Sequence, residues 1–218
     1  MTNIEPFGSL LLVEEIAQNM YGGTYHHHFH ILYDIRSMIE KKEINYFEIG
    51  THYGASSCLM LSHPMRTNVY TLDLPYFPCG DANVAPDYIH KNVEKFGLPQ
   101  NNFQLILGDS RDIETIKNVK NIVKRTDILF IDGDHSYQAI IDDFLNYKDI
   151  VESGGFIIFD DYHDFSNPIV KHAVDFIVNE YLFEEFEVVG FLRNKLNATP
   201  NTMIYNNEFV LRKKWKKI

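Results

Sequence analysis

Acidic residues arrive in clusters where short apolar runs end, and their spacing is the first feature of this sequence with chemical content. The run ending at Ile131 leads into Asp132-Gly133-Asp134-His135-Ser136-Tyr137, and the run ending at Phe159 into Asp160-Asp161-Tyr162-His163-Asp164. Carboxylates held that close repel, and a hard divalent cation taking oxygen ligands is the cheapest way to keep them ionised. Asp132, Asp160 and Asp161 are therefore the predicted metal ligands, with Asp134 and Asp164 in reserve. An all-oxygen set suits Mg²⁺, Mn²⁺ or Ca²⁺ better than zinc. His135, three residues after Asp132, is the residue type best suited to general-base work near neutral pH. The competing reading makes these acids helix caps and loop hydrogen-bond acceptors.

A second group lies upstream. Glu48-Ile49-Gly50-Thr51-His52-Tyr53-Gly54-Ala55-Ser56 reads as a strand, a glycine turn and the start of a helix. Gly50 and Gly54 let the backbone turn tightly and a ligand lie against it, and free N–H groups at the helix start favour a carboxylate or phosphate. His52 stands where a dinucleotide fingerprint needs its second glycine, which weakens a nicotinamide-cofactor reading. Asp73 closes the next strand, the position from which a carboxylate binds both ribose hydroxyls of an adenosine. Gly108-Asp109-Ser110 closes the third, where Asp109 either meets an adenine amino group or caps the following helix. The run from His26 to His30, with Tyr21, Tyr25 and Tyr33, reads as a pocket cover, and Cys58 and Cys79 form neither a disulfide framework nor a thiolate metal site.

The elements that position these residues alternate between short apolar runs and segments of helical period, the signature of βαβ units on a parallel sheet. Strands are predicted at Ile44 to Ile49, Asn68 to Leu72, Phe103 to Leu107, Asp127 to Ile131 and Phe156 to Phe159. Helices are predicted at Ala55 to Leu61, Arg111 to Lys124, Tyr137 to Val151 and Pro168 to Tyr181. The helix from Tyr137 is expected to end at Gly154-Gly155, with Asp142, Asp143, Asn146 and Asp149 off its apolar face. Phe186 to Leu192 and Thr202 to Tyr205 read as an antiparallel pair closing the sheet. Ligands of such sheets settle beyond the carboxyl ends of the strands, where every polar cluster above lies.

The chain has 218 residues, 45% of them hydrophobic, enough for one compact unit and unlike a disordered or coiled-coil composition. Its 20 basic and 30 acidic side chains give a net charge of −10, and five of the basic ones fall in the last seven residues. That balance predicts no nucleic-acid partner. No leader or membrane-spanning run is visible, so the expectation is a soluble, cytoplasmic protein. Aromatic loops leave homo-oligomerisation open.

Taken in order, E-x-G-x-x-x-G-x-S at Glu48 to Ser56, Asp73, Gly108-Asp109-Ser110 and F-I-D-G-D-H-S-Y at Phe130 to Tyr137 resemble class I S-adenosylmethionine-dependent methyltransferases. The D-G-x-H string, the acids at Asp160-Asp161 and the lead-in from Gly23-Thr24 to Tyr33 are similar to the metal-dependent sugar and macrolide O-methyltransferase and cephalosporin-hydroxylase-like group. The resemblance implies a Rossmann-like α/β fold with a mostly parallel seven-stranded sheet, helices on both faces and an antiparallel C-terminal strand. It implies one domain, with an N-terminal helical lid at 1–40, a core at 41–210 and a basic tail at 211–218. It also implies that Glu48, Gly50, Gly54 and Ser56 cradle the methionine part of S-adenosylmethionine, that Asp73 binds its ribose, and that Asp109 and Ser110 border its adenine. A Mg²⁺-type ion would rest on Asp132, Asp160 and Asp161, with His135 as base and Asp132 beside it in catalysis. The expected reaction is O-methylation of a small polar acceptor such as a sugar, nucleotide sugar or glycosylated metabolite. The alternatives are a metal-independent methyltransferase of the same fold, or an Fe(II)-dependent hydroxylase built on His135, His163 and Asp132.

Overall fold

A computed structural model describes residues 8–22, 29–75, 85–162, 168–193 and 207–215. The elements in chain order are α1 (Gly8–Asn19), α2 (His30–Met38), β1 (Glu43–Ile49), α3 (Ala55–Leu61), β2 (Arg66–Asp73), α4 (Ala85–Phe96), β3 (Asn102–Leu107), α5 (Ile113–Val123), β4 (Thr126–Ile131), α6 (Tyr137–Tyr147), β5 (Val151–Phe159), α7 (Pro168–Glu185), β6 (Phe186–Arg193) and β7 (Asn207–Lys213). The seven strands form one sheet in the order β3-β2-β1-β4-β5-β7-β6. β1 to β5 pair in parallel, and β7 lies antiparallel between β5 and β6. Successive connections leave β1 in one direction and β4 in the other, so the tips of β1 and β4 flank the switch point where such sheets bind ligands.

Residue alternation explains the layering. On β1, Ile44 and Tyr46 point into the apolar layer shared with α1, α2 and α3, while Phe47 and Ile49 point into the layer shared with α5, α6 and α7. Every residue of β4 is buried, as a central strand covered on both faces requires. Cys58, on α3, is fully buried in the core. Among the described residues no helix is long and apolar enough to cross a membrane.

Two segments depart from the pattern read in the sequence. The helix from Tyr137 ends at Tyr147, a 3-10 turn covers Lys148–Ile150, and Gly154 and Gly155 lie inside β5. They sit where the β4–β5 register shifts between Thr126 and Ile128, a bulge that needs Gly154 at φ +82 and leaves no room for a Cβ, which would fall 2.3 Å from the Trp215 ring. The antiparallel partner of β6 is β7, and Thr202 to Tyr205 lie outside the described residues. β7 therefore takes Leu211, Arg212 and Lys213 out of the segment read as a basic tail. Leu211 is buried, and the two cations are held by main-chain carbonyls: Arg212 Nε donates to Gly154 O at 3.3 Å and Lys213 Nζ to Lys148 O at 3.1 Å.

Candidate active site

The strand tips enclose a cavity of about 520 Å³, a size typical of small-molecule sites. Its wall comes from the turn after β1 (Gly50 to Tyr53, Ala55 and Ser56), from Asp73 after β2, from Gly108 to Arg111 after β3, and from Asp132 to Asp134 after β4. Four successive strands thus deliver one wall each.

Glu48 lies beneath this cavity rather than in it. It is fully buried, and its carboxylate accepts hydrogen bonds from Tyr46 Oη (2.7 Å), Ser56 Oγ (2.8 Å), Ser57 Oγ (2.5 Å) and Thr71 Oγ1 (2.9 Å). Burial pushes the Glu48 carboxyl up, and the four hydroxyls oppose that shift. Glu48 therefore anchors the first turn of α3 to β1 and β2, and the Ser56 hydroxyl is spent on it although Ser56 lines the cavity.

The turn itself is shaped by its glycines. Gly50 and Gly54 have φ of +92 and +85, and a Cβ on Gly50 would fall 2.0 Å from the carbonyl oxygen of Asp132. Asp73 fastens the same turn from the side: Oδ2 accepts the N–H groups of Thr51 and His52, both at 2.8 Å, and Oδ1 that of Leu74 at 2.7 Å. Burial raises the Asp73 carboxyl and these amides counter it. The helix cap weighed for Asp109 falls to a neighbour. Asp112 caps α5, accepting from Glu114 N and Thr115 N, while Asp109 lines the cavity and accepts from Arg111 N at 2.9 Å.

Two of the three acids expected to hold a metal, Asp132 and Asp160, meet beside His135. Asp132, His135 and Asp160 offer ligand atoms that all lie within 4.8 Å of one another. His135 stands between two carboxylates, with Nε2 3.2 Å from Asp132 Oδ1 and Nδ1 3.3 Å from Asp161 Oδ2. Burial, and then Asp160 beside it, push the Asp132 carboxyl well above the usual range. Asp161 is held at φ +54, a left-handed conformation that a non-glycine residue rarely adopts and that turns its side chain toward His135. Carboxylate oxygens gathered this way fit a divalent cation of the Mg²⁺ or Mn²⁺ type, with the His135 imidazole beside them. Asp134 lines the cavity but pairs with Arg111 at 3.5 Å and accepts from Ser136 N. Asp164, His163, Cys79, Tyr25 and His26 to His28 lie outside the described residues.

Three site-linked residues escaped the sequence reading. Arg111 lines the cavity and ties Asp109 to Asp134. Glu208 on β7 is fully buried beside Asp160 and Asp161, and among the described residues no other residue hydrogen-bonds either of its oxygens. Asp143 was placed off the apolar face of α6, yet it is buried. Its spacing of three from Ile140 and four from Tyr147 was the signal, because those intervals share a helix face. Burial raises the Asp143 carboxyl to about 7, partly offset by a hydrogen bond with Ser110.

A family model described as a methyltransferase domain matches residues 47–162. Over 207 residues the chain is 37% identical to the uncharacterized protein R132 of Acanthamoeba polyphaga mimivirus, covering 90% of this chain and 91% of the relative. Among solved structures, an O-methyltransferase from Bacillus cereus in complex with SAH matches at TM-score 0.61 and 16% identity, over 94% of this chain and 91% of that one. An rRNA methylase from Streptococcus thermophilus matches at TM-score 0.61 and 16% identity, over 88% of this chain and 100% of that one. That second likeness corrects the expectation of an exclusively small-molecule acceptor and no nucleic acid, since an RNA-modifying protein carries this fold. The physical error lay in reading a whole-chain charge as the potential at one rim, although screening confines surface fields to about 8–10 Å.

Two outcomes follow from this geometry. Gly50→Ala should cost more than about 2 kcal/mol of unfolding free energy in urea denaturation, because φ must change and the β1 and β4 tips must part. Asp143 has a folded pKa above its unfolded value near ~3.9, so its ionisation drains stability as pH rises from about 4 to 7. Asp143→Asn should therefore gain stability relative to the parent across that window, by an amount on the order of 1–4 kcal/mol, and level off above it. An equal difference at pH 5 and pH 8 would contradict the assignment.

Proposed function

The chain belongs to the methyltransferase domain family and is a methyltransferase of the S-adenosylmethionine-dependent fold class; from that premise we propose that it transfers a methyl group to a hydroxyl oxygen with the help of a divalent cation. The observation carrying this reading is the convergence of Asp132, His135 and Asp160 at the rim of a cavity whose other walls are the Gly50 turn, Asp73 and Asp109. Hydroxylase chemistry, the alternative drawn from the sequence, has no support in the family.

In this reading Gly50 and Gly54 admit the cofactor's backbone, and Asp73 receives its ribose on the Oδ1 lone pair that the turn amides leave unused. Asp109, Ser110 and Arg111 enclose the adenine end. The sulfonium methyl is already electrophilic, so the protein has to align acceptor, methyl and sulfur and to take away the acceptor's proton. Asp132, Asp160 and Asp161 would hold the cation, which when bound lowers the pKa of a coordinated hydroxyl and fixes its direction. Two adjacent oxygens, as on a sugar ring or a ribose, match such a centre. His135, oriented by Asp132 and Asp161, takes the proton.

Calorimetry separates the parts of this proposal. Titration of the protein with SAH should show binding without metal, and titration with Mn²⁺ should show a site that Asp160→Asn weakens by at least about tenfold while SAH affinity is kept. Absence of Mn²⁺ binding to the wild-type protein would sink the cation reading. His135→Ala should leave SAH affinity intact and lower methyl transfer by about 10²–10⁴, as loss of a general base does.

A further inference from the structure

Beside the cavity mouth lies a group of rings and ammonium ions that neither cofactor nor cation explains. Tyr21 follows α1, Tyr53 belongs to the turn after β1, and Tyr88 sits on α4. The Tyr21 and Tyr88 rings stack with centroids 5.9 Å apart, and Tyr53 lies 6.0 Å from Tyr88 and 4.1 Å from His52. Lys91 Nζ stands 5.8 Å from the Tyr21 ring and 5.7 Å from the Tyr88 ring, and Lys95 Nζ 5.9 Å from Tyr21. Tyr88, Lys91 and Lys95 fall at i, i+3 and i+7 of α4, one stripe of the helix.

The arrangement is built rather than incidental. Asn92, fully buried on the same helix, accepts from Tyr21 N at 2.7 Å and donates to Tyr21 O at 3.0 Å and to Tyr53 O at 2.9 Å. One amide side chain therefore fixes both tyrosine backbones. Gly22, at φ +87, lies under the Tyr53 ring so closely that a Cβ would fall 2.5 Å from it. Yet Tyr21 remains 48% exposed, and Lys91 and Lys95 are exposed as well. Aromatic surface kept open next to fixed positive charge is the combination that holds a nucleobase and its phosphate. Lys91 and Lys95 bring two positive charges to the rings, on a helix whose acids are Asp87 and Glu94. Tyr53 and His52 also line the cavity, so a strand seated on the platform lies at the entrance of the transfer site.

We infer that Tyr21, Tyr88, Lys91 and Lys95 form a platform for single-stranded RNA, positioning the acceptor strand at the cavity mouth. The inference does not depend on the cation centre, and its test is run without metal so that the two stand or fall separately. Fluorescence anisotropy of a labelled octauridylate RNA is measured against SAH-saturated protein over a range of salt. The expected result is binding that weakens about tenfold in Tyr21→Ala, as loss of one stacked base does. Lys91→Ala should reduce the slope of log affinity against log salt by about 0.7, the value for one lost phosphate contact on a single strand. Unchanged SAH affinity and thermal midpoint in both variants, with Tyr21→Phe restoring binding, would tie the loss to the ring. The platform is refuted if the wild-type protein does not bind the RNA, if both alanine variants bind it unchanged, or if uridine monophosphate alone binds as tightly as the octamer.

Discussion

How closely β1 and β4 approach one another at the switch point governs the rest of the rim. Gly50 has a backbone conformation only glycine adopts comfortably, and the Asp132 carbonyl occupies the space a side chain would need. Asp132 N–H in turn donates to Ile49 O at 2.9 Å, which locks the two tips. The glycine turn and the carboxylate cluster are therefore two sides of one backbone contact. Groups on either side keep a fixed separation, the condition under which alignment of reacting atoms lowers a barrier.

Carboxyl groups crowd this end of the sheet, and each buried one is reconciled with its surroundings differently. Glu48 collects four hydroxyl donors and becomes part of the scaffold. Asp73 collects three main-chain amides yet still borders the cavity. Asp132 and Asp161 share His135. Glu208 collects no donor from any other described residue. Because an unpaired buried carboxylate costs several kcal/mol, position along this series separates scaffold from chemistry: the more completely a carboxyl is satisfied by the fold, the less it has left for a ligand.

Much of the fold was legible because alternation and helical period report directly which faces are buried. The strands β1 to β5 and helices α3 and α7 begin within a few residues of where their apolar patterns place them, apart from β5, whose first half is disguised by its bulge glycines. The acids at Asp132, Asp160 and Asp161 were legible because strand ends in a parallel sheet share an edge. What the sequence hid depends on long-range contacts. The four hydroxyl partners of Glu48 could not be read along the chain because they come from three separate elements. Asp112 took the cap that Asp109 was weighed for, since a three-residue offset at a helix start lies below the resolution of pattern reading. Glu208 was invisible because nothing in its neighbourhood along the chain announces that β7 passes beside β5.

That placement of β7 has a bearing on biosynthesis. β6 leaves the ribosome before β7, but it touches the sheet only through β7, the last described strand to be made. Until residue 213 has emerged, the side of β5 that pairs with β7 from Phe156 to Phe159 stays open, and the nascent five-stranded sheet has two unpaired edges, β3 and β5. An open strand edge is a template for wrong pairing, and β5 is such an edge from its own completion until β7 arrives.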